Sequence, residues 1–160
     1  MGQTTLTPEE LEAMLDRAAK RHCKVFNQQT LGEDDIMTYT LGKRSLQNLS
    51  GVHPDLVAVV KRAIEITEQD FSVIEGVRNI NRQRELYRKG ATTTLNSRHL
   101  TGHAVDIAPW PISWDWEYFY PIADAMKQAA EELEVDLEWG GDWKSFPDGP
   151  HYQLSRKTYP

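Results

Sequence analysis

The sequence predicts an α+β fold in which a small antiparallel sheet is flanked by helices. Three observations lead there. Helical periodicity and strand-like alternation share one chain, the strands do not alternate regularly with helices as a parallel sheet requires, and turn-rich stretches separate the last two strands. A chain of 160 residues fits one domain plus an appendage, and a domain of that size buries most of the apolar surface its unfolded form exposes. With 39% hydrophobic and 26% charged residues, the composition is that of a globular protein rather than a disordered or membrane-embedded one.

Taken in order, Thr7-Pro8-Glu9-Glu10 forms a capping box with proline at the first helical position. Leu11, Met14, Leu15 and Ala18 then recur at helical spacing, which predicts a helix near 8 to 22. From Lys24 to Thr40 the periodicity fades through Asn27, Gln28, Gln29 and Gly32 into three consecutive acids, so residues 1–40 read as a helical extension and linker. Residues 41–160 then form the main domain. His53-Pro54-Asp55 opens a core helix carrying Leu56, Val59, Val60, Ala63 and Ile64 on one face and ending near Thr67. Phe71 to Val77 alternates as a half-buried strand does, and Asn81 to Lys89 makes a short helix stopped by Gly90.

Residues 91 to 103, rich in Thr, Asn, Ser and His, read as a loop leading into a strand at Ala104 to Ala108. Trp114 to Leu133 has helical spacing through Phe119, Ile122, Ala123, Met126, Ala129 and Ala130, with Pro121 near its first turn or kinking it. Val135 to Trp139 and His151 to Leu154 are short strand-like runs. Between them lie the turn-forming stretches Gly140-Gly141-Asp142 and Pro147-Asp148-Gly149-Pro150.

The formal charge of −6 gives no general attraction to phosphate backbones or anionic lipid, which argues against nucleic acid and membrane surfaces as partners. The densest basic cluster, Arg82, Arg84, Arg88 and Lys89 with Glu85 among them, reads as a solvated helix face. No run approaches 18 consecutive apolar residues, so no spanning helix is expected, and the acidic-first amphipathic start does not resemble a signal peptide. Synthesis in the cytoplasm and a monomeric protein are the expectations. Cys23 is the only cysteine, so an internal disulfide is impossible and any metal must use histidine and carboxylates.

Metal-capable side chains concentrate in Ser97-Arg98-His99-Leu100-Thr101-Gly102-His103-Ala104-Val105-Asp106 and again in Asp148-Gly149-Pro150-His151. A catalytic zinc takes three protein ligands and keeps a fourth position for a water that it acidifies toward a pKa of about 7. His99, Asp106 and His151 supply that set, two of them on predicted strands whose rigid backbone can hold ligands in place. Asp148, three residues before His151, is the candidate general base. His99 and His103 mimic the i, i+4 pair of the helical HExxH motif, yet no Glu follows His99 and Gly102 argues against a helix, so His103 is given no ligand role. His22 and His53 read as structural, His53 as a helix starter. Each of these residues alone is more often an ordinary polar group than a site residue.

At these residues the chain resembles the peptidoglycan-cleaving zinc peptidases of the D-Ala-D-Ala carboxypeptidase, lysostaphin and hedgehog superfamily. The pattern Ser-x-His-x-x-Gly-x-Ala-x-Asp is met by Ser97, His99, Gly102, Ala104 and Asp106, and the later acid-x-x-His signature by Asp148 and His151. Trp139-Gly140-Gly141-Asp142-Trp143 and Phe146 resemble the segment before that signature in phage L-alanyl-D-glutamate endopeptidases, and Glu75-Gly76-Val77-Arg78 with Gln83 matches a region that places an arginine toward the substrate.

The resemblance covers roughly Thr40 to the C-terminus and is closest to endolysins of tailed phages of Gram-negative hosts. It implies a hedgehog/D-Ala-D-Ala-peptidase-like fold, one Zn2+ held by His99, Asp106 and His151, and base catalysis by Asp148. It further implies substrate or oxyanion contact by Arg78 and a hydrogen-bonding support by Ser97. The implied substrate is the stem peptide of bacterial peptidoglycan, cut between L-Ala and D-Glu in the periplasmic wall at lysis. A D,D-carboxypeptidase or dipeptidase on the same fold would share the ligands. A non-catalytic wall-binding module would keep the zinc, but Asp148 tells against it, and a pure interaction protein would bind no metal. Compact relatives begin near Leu41-Gly42-Lys43-Arg44-Ser45-Leu46, so the extension, Met1 to about Met37, departs from the pattern; its acidity favours packing or a partner contact over capture by anionic polymers.

Overall fold

The computed structural model describes residues 38–160; the expected helix at 8 to 22 and most of the linker fall outside them. Among the described residues, four helices, α1 (Lys43–Asn48), α2 (Pro54–Ile66), α3 (Ile80–Arg88) and α4 (Trp116–Glu132), accompany four strands, β1 (Phe71–Glu75), β2 (Ala104–Pro109), β3 (Leu137–Trp139) and β4 (His151–Leu154). The strands form one sheet in the order β1-β2-β4-β3, and every neighbouring pair is antiparallel. The α+β class and the small antiparallel sheet are as the sequence predicts.

Alternation along the strands sorts the chemistry. Phe71, Val73, Val105, Ile107, Tyr152 and Leu154 point to one face and are completely buried against Leu56, Val59, Val60 and Ala63 of α2 and Ile122, Met126 and Ala129 of α4. Burying such side chains stabilises the fold by about 1.5–3 kcal/mol each, so this face is the core. Asp106, His151, Gln153 and Glu138 alternate to the opposite face.

β1 breaks register on that face. Val73 pairs with Ile107 but Glu75 pairs with Asp106, so one extra residue, Ile74, is accommodated and Glu75 joins the polar row. The outer edge of β1 is covered by α1: Ser45 Oγ accepts a hydrogen bond from the Val73 amide at 3.1 Å, and Asn48 Nδ2 donates to the Val73 carbonyl at 2.9 Å. These bonds occupy backbone groups that would otherwise template another strand.

The helix starts follow local chemistry. His53 Nδ1 accepts from the Asp55 amide at 3.1 Å with Pro54 in the first turn, and Asn79 accepts from the Arg82 amide at 2.8 Å. The six-residue α1 has no capping side chain and no periodic signature, and the sequence does not predict it. Pro121 lies within α4, which runs on unbroken. Within the expected loop a 3-10 turn, Arg98–Thr101, stops at Gly102, whose φ of 76° suits glycine and where a Cβ would lie 2.6 Å from the Gly51 carbonyl oxygen.

Candidate metal centre and active site

Asp106 and His151 are direct cross-strand partners, so their side chains rise together from the sheet. His99 arrives from the 3-10 turn that precedes β2. Ser97 caps that turn, its Oγ accepting from the His99 amide at 3.2 Å, and the His99 carbonyl accepts from the Arg78 amide at 3.0 Å. His99 Nε2 stands 3.2 Å and His151 Nδ1 3.3 Å from Asp106 Oδ1, and the three donor atoms lie within 4.8 Å of one another. A tetrahedral ion with ligand bonds near 2 Å holds its donors about 3.3 Å apart. The spacing therefore fits a small metal ion.

The far side of each imidazole fixes its tautomer. His99 Nδ1 donates to the Gly76 carbonyl at 2.8 Å, which leaves the Nε2 lone pair directed at Asp106. Gln153 Nε2 donates to the Glu138 carboxylate at 3.0 Å, so Gln153 Oε1 faces His151 Nε2 at 3.0 Å and accepts a hydrogen bond from its N–H. The His151 Nδ1 lone pair is then turned inward. Both rings are buried and their outer nitrogens bonded, as ring-orienting partners of metal ligands are.

Burial opposes charge on Asp106, but His99 and His151 together hold its carboxyl far below the usual carboxylate range. Burial is the largest influence on His151 and opposes its charge, yet Asp106, Gln153 and the Asp148 charge together raise its pKa. Asp106 thus keeps a negative charge that a cation would neutralise.

Asp148 precedes β4 in a turn held by backbone bonds: its amide donates to the Gly140 carbonyl at 2.8 Å, and its carbonyl accepts from the His151 amide at 3.2 Å. Burial first, and then the Asp106 charge, raise the Asp148 pKa, which suits a group that must take and return a proton. Arg78 is held from two sides. Glu75 accepts from its Nε and from one terminal nitrogen at 2.7 Å each, and Gln83 Oε1 accepts from the other at 2.7 Å. Burial works against the Arg78 charge, but Glu75 and the nearby Asp106 keep the guanidinium protonated. The terminal nitrogen that bonds Glu75 also lies 3.6 Å from Asp106 Oδ2, and Glu75 and Gln83 engage three of arginine's five N–H groups.

All six predicted residues, Arg78, Ser97, His99, Asp106, Asp148 and His151, line one cleft of about 750 Å³. His103 stands apart, its Nδ1 bonded to Thr101 Oγ1 at 2.7 Å and its ring 5.4 Å from that of His53. Sequence reading missed Gln153 and Glu138. The signal was the strand alternation, since Gln153 lies two residues beyond His151 and Glu138 falls between Leu137 and Trp139.

A family model described as phage L-alanyl-D-glutamate peptidase matches residues 37–159. The chain belongs to that family. Among curated relatives, the L-alanyl-D-glutamate peptidase of Escherichia phage T5 is 34% identical over 130 residues, covering 77% of this chain and 94% of the phage protein. The peptidoglycan L-alanyl-D-glutamate endopeptidase CwlK of Bacillus subtilis is 34% identical over 101 residues, 53% of this chain and 60% of CwlK. Among solved structures, the L-Ala D-Glu endopeptidase ChiX of Serratia marcescens superposes with a TM-score of 0.72 at 50% identity, covering 76% of this chain and 94% of ChiX. The described residues carry the phage L-alanyl-D-glutamate peptidase fold with the metal-capable group on the open face of its sheet, and no helix among them is long and apolar enough to cross a membrane.

Proposed function

We propose that the protein is a zinc-dependent peptidoglycan endopeptidase that hydrolyses the L-Ala–D-Glu amide bond of the stem peptide. One observation carries the chemistry: two imidazole lone pairs and a carboxylate converge in a buried cluster of the right size, with a second carboxylate, Asp148, in the same cleft. The family match supports the substrate class.

His99 Nε2, Asp106 and His151 Nδ1 would hold the ion. Zinc, when bound there, acidifies water and polarises a carbonyl oxygen. Asp148 accepts the proton of the attacking water and passes one to the amine that leaves with D-Glu. Its raised pKa keeps proton return feasible near neutrality. Arg78 offers its remaining N–H groups to the oxygen on which negative charge develops, and Glu75 and Gln83 fix the guanidinium beforehand, so little reorganisation is needed. Ser97 keeps the turn of His99 in place.

The test is release of new amino groups from purified peptidoglycan, with mass spectrometry of the fragments, for native protein, Asp148→Ala, and a chelated sample before and after zinc is restored. Native protein is expected to free D-Glu amino termini, chelation to abolish this and zinc to restore it. Asp148→Ala should retain metal and lose about 10²–10⁴-fold in rate. Release of terminal D-Ala alone would replace the reading with a D,D-carboxypeptidase; zinc binding without any release would leave a binding module.

A further inference from the structure

The cleft is chemically polarised along the strand direction. At one end, Trp114 follows the Pro109 terminus of β2, and Trp143 and Phe146 precede β4. These belong to the same end of the sheet, because β2 and β4 are antiparallel and the Ile107 amide donates to the Pro150 carbonyl at 2.8 Å. The Trp143 ring lies 5.1 Å from that of His151, and Phe146 is 78% exposed. At the other end, Arg156 follows the Leu154 terminus of β4 and donates to the Asn96 carbonyl at 3.0 Å, while Arg82 lies on α3, which leaves the Glu75 end of β1. Asp106 and His151 sit between the two ends. All five of these flanking side chains line the same cleft.

We infer that this asymmetry sets the direction in which a stem peptide lies across the site, a reading that rests on the proposed peptidoglycan hydrolysis. The residue on the amino side of the scissile bond, L-Ala, is acylated by the lactyl group of a sugar and carries no charge, so pyranose rings lie within one residue of the cut. On the carboxyl side, D-Glu and the residues after it carry free carboxylates. Aromatic faces suit the apolar C–H faces of sugar rings, whereas guanidinium groups pair with carboxylates. Trp114, Trp143 and Phe146 therefore take the sugar-bearing side, and Arg82 and Arg156 the carboxylate side. Arg82 is exposed and, among the described residues, its guanidinium is held by a surface pair to Glu85 at 3.0 Å, so it can turn to a ligand at small cost.

The test compares kcat/KM for a disaccharide-tetrapeptide and for the same tetrapeptide N-acetylated in place of the sugar. Native protein should prefer the sugar-bearing substrate by about tenfold, the scale of one aromatic contact. Phe146→Ala and Trp114→Ala should bring the two rates together while leaving the bare-peptide rate unchanged. Phe146→Ala adds no backbone conflict, since Phe146 already sits at φ 53°. Arg82→Ala and Arg156→Ala should slow both substrates alike, and amidating the peptide carboxylates should remove that effect. Equal native rates on the two substrates, or Phe146→Ala slowing both alike, would overturn the orientation.

Affinity of both compounds for Asp148→Ala protein, read by tryptophan fluorescence, separates this inference from the hydrolytic one. If native protein cleaves neither compound but the sugar-bearing one still binds more tightly, and Phe146→Ala erases the difference, the orientation stands without hydrolysis. Equal binding of the two overturns it.

Discussion

At the residue scale, the metal-capable group depends on Gln153 as much as on its own members. Gln153 can accept from His151 only while its amide nitrogen donates to the Glu138 carboxylate. Gln153→Leu should weaken zinc affinity about 10–100-fold, the usual effect of losing such an outer partner. Glu138→Gln should act in the same direction, because its amide lets Gln153 turn over and offer an N–H to His151 Nε2, placing the ring proton on Nδ1. Competition with a chromophoric chelator measures both, and unchanged affinity in both variants would remove the tautomer argument. Protons compete for the same lone pair. The His151 pKa is raised above its ordinary 6.5 in the metal-free protein, and the bound form requires it neutral. Zinc affinity should thus be insensitive to this group well above that raised pKa and fall by about tenfold per pH unit below it. Titration of the chelator competition from mildly alkaline to mildly acidic pH shows where the fall begins.

At the scale of elements, the proposed base, Asp148, is positioned by a glycine. A Cβ on Gly140 would lie 2.5 Å from the Asp148 carbonyl oxygen and 3.0 Å from His151 Cβ, so the 3-10 turn Gly140–Asp142 and the approach to β4 can close only without it. Gly140→Ala should push the Asp148 turn outward. An overpacking cost of about 1–3 kcal/mol leaves the protein folded, whereas a displacement near 1 Å at a reacting group costs about 10²-fold in rate. Circular dichroism and kcat/KM together test this, and a variant with native rate would show that the turn has slack.

The same elements show what was legible in the sequence. Leu56, Val59, Val60, Ala63 and Ile64 announce α2 and Phe119 to Ala130 announce α4, because a buried helix face imposes its period on the chain. The metal-capable residues were legible because Asp106 and His151 sit in alternating strands and Ser97-x-His99 carries a recognisable spacing. Three features were not. The six residues of α1 are too few to show a period, the Arg98–Thr101 turn hides in a polar stretch, and the register break that brings Glu75 opposite Asp106 depends on a pairing partner more than thirty residues away. Glu75 and Gln83 could be noted from their motif, but their hold on Arg78 required the fold.

At the scale of the whole molecule, the proposed site is also a clasp. Its three donors come from β2, β4 and the turn before β2, and Gly76, Arg78 and Gln83 tie that turn to the segment after β1 and to α3. An ion held by all three donors stabilises only the folded chain, by about 4 kcal/mol when free zinc is a thousandfold above its dissociation constant. For a chain of this size that corresponds to a rise in Tm of roughly 8–16 °C. Calorimetry of native protein should show such a fall on chelation and its recovery with zinc. His151→Ala should unfold at a temperature that chelator hardly changes, because the clasp is already open. Asp148→Ala should respond to chelator as native protein does, since the proposed role of Asp148 is on the proton and not on the metal. Should Asp148→Ala instead lose the zinc-dependent rise, Asp148 would belong among the ligands and the base would have to be sought elsewhere in the cleft.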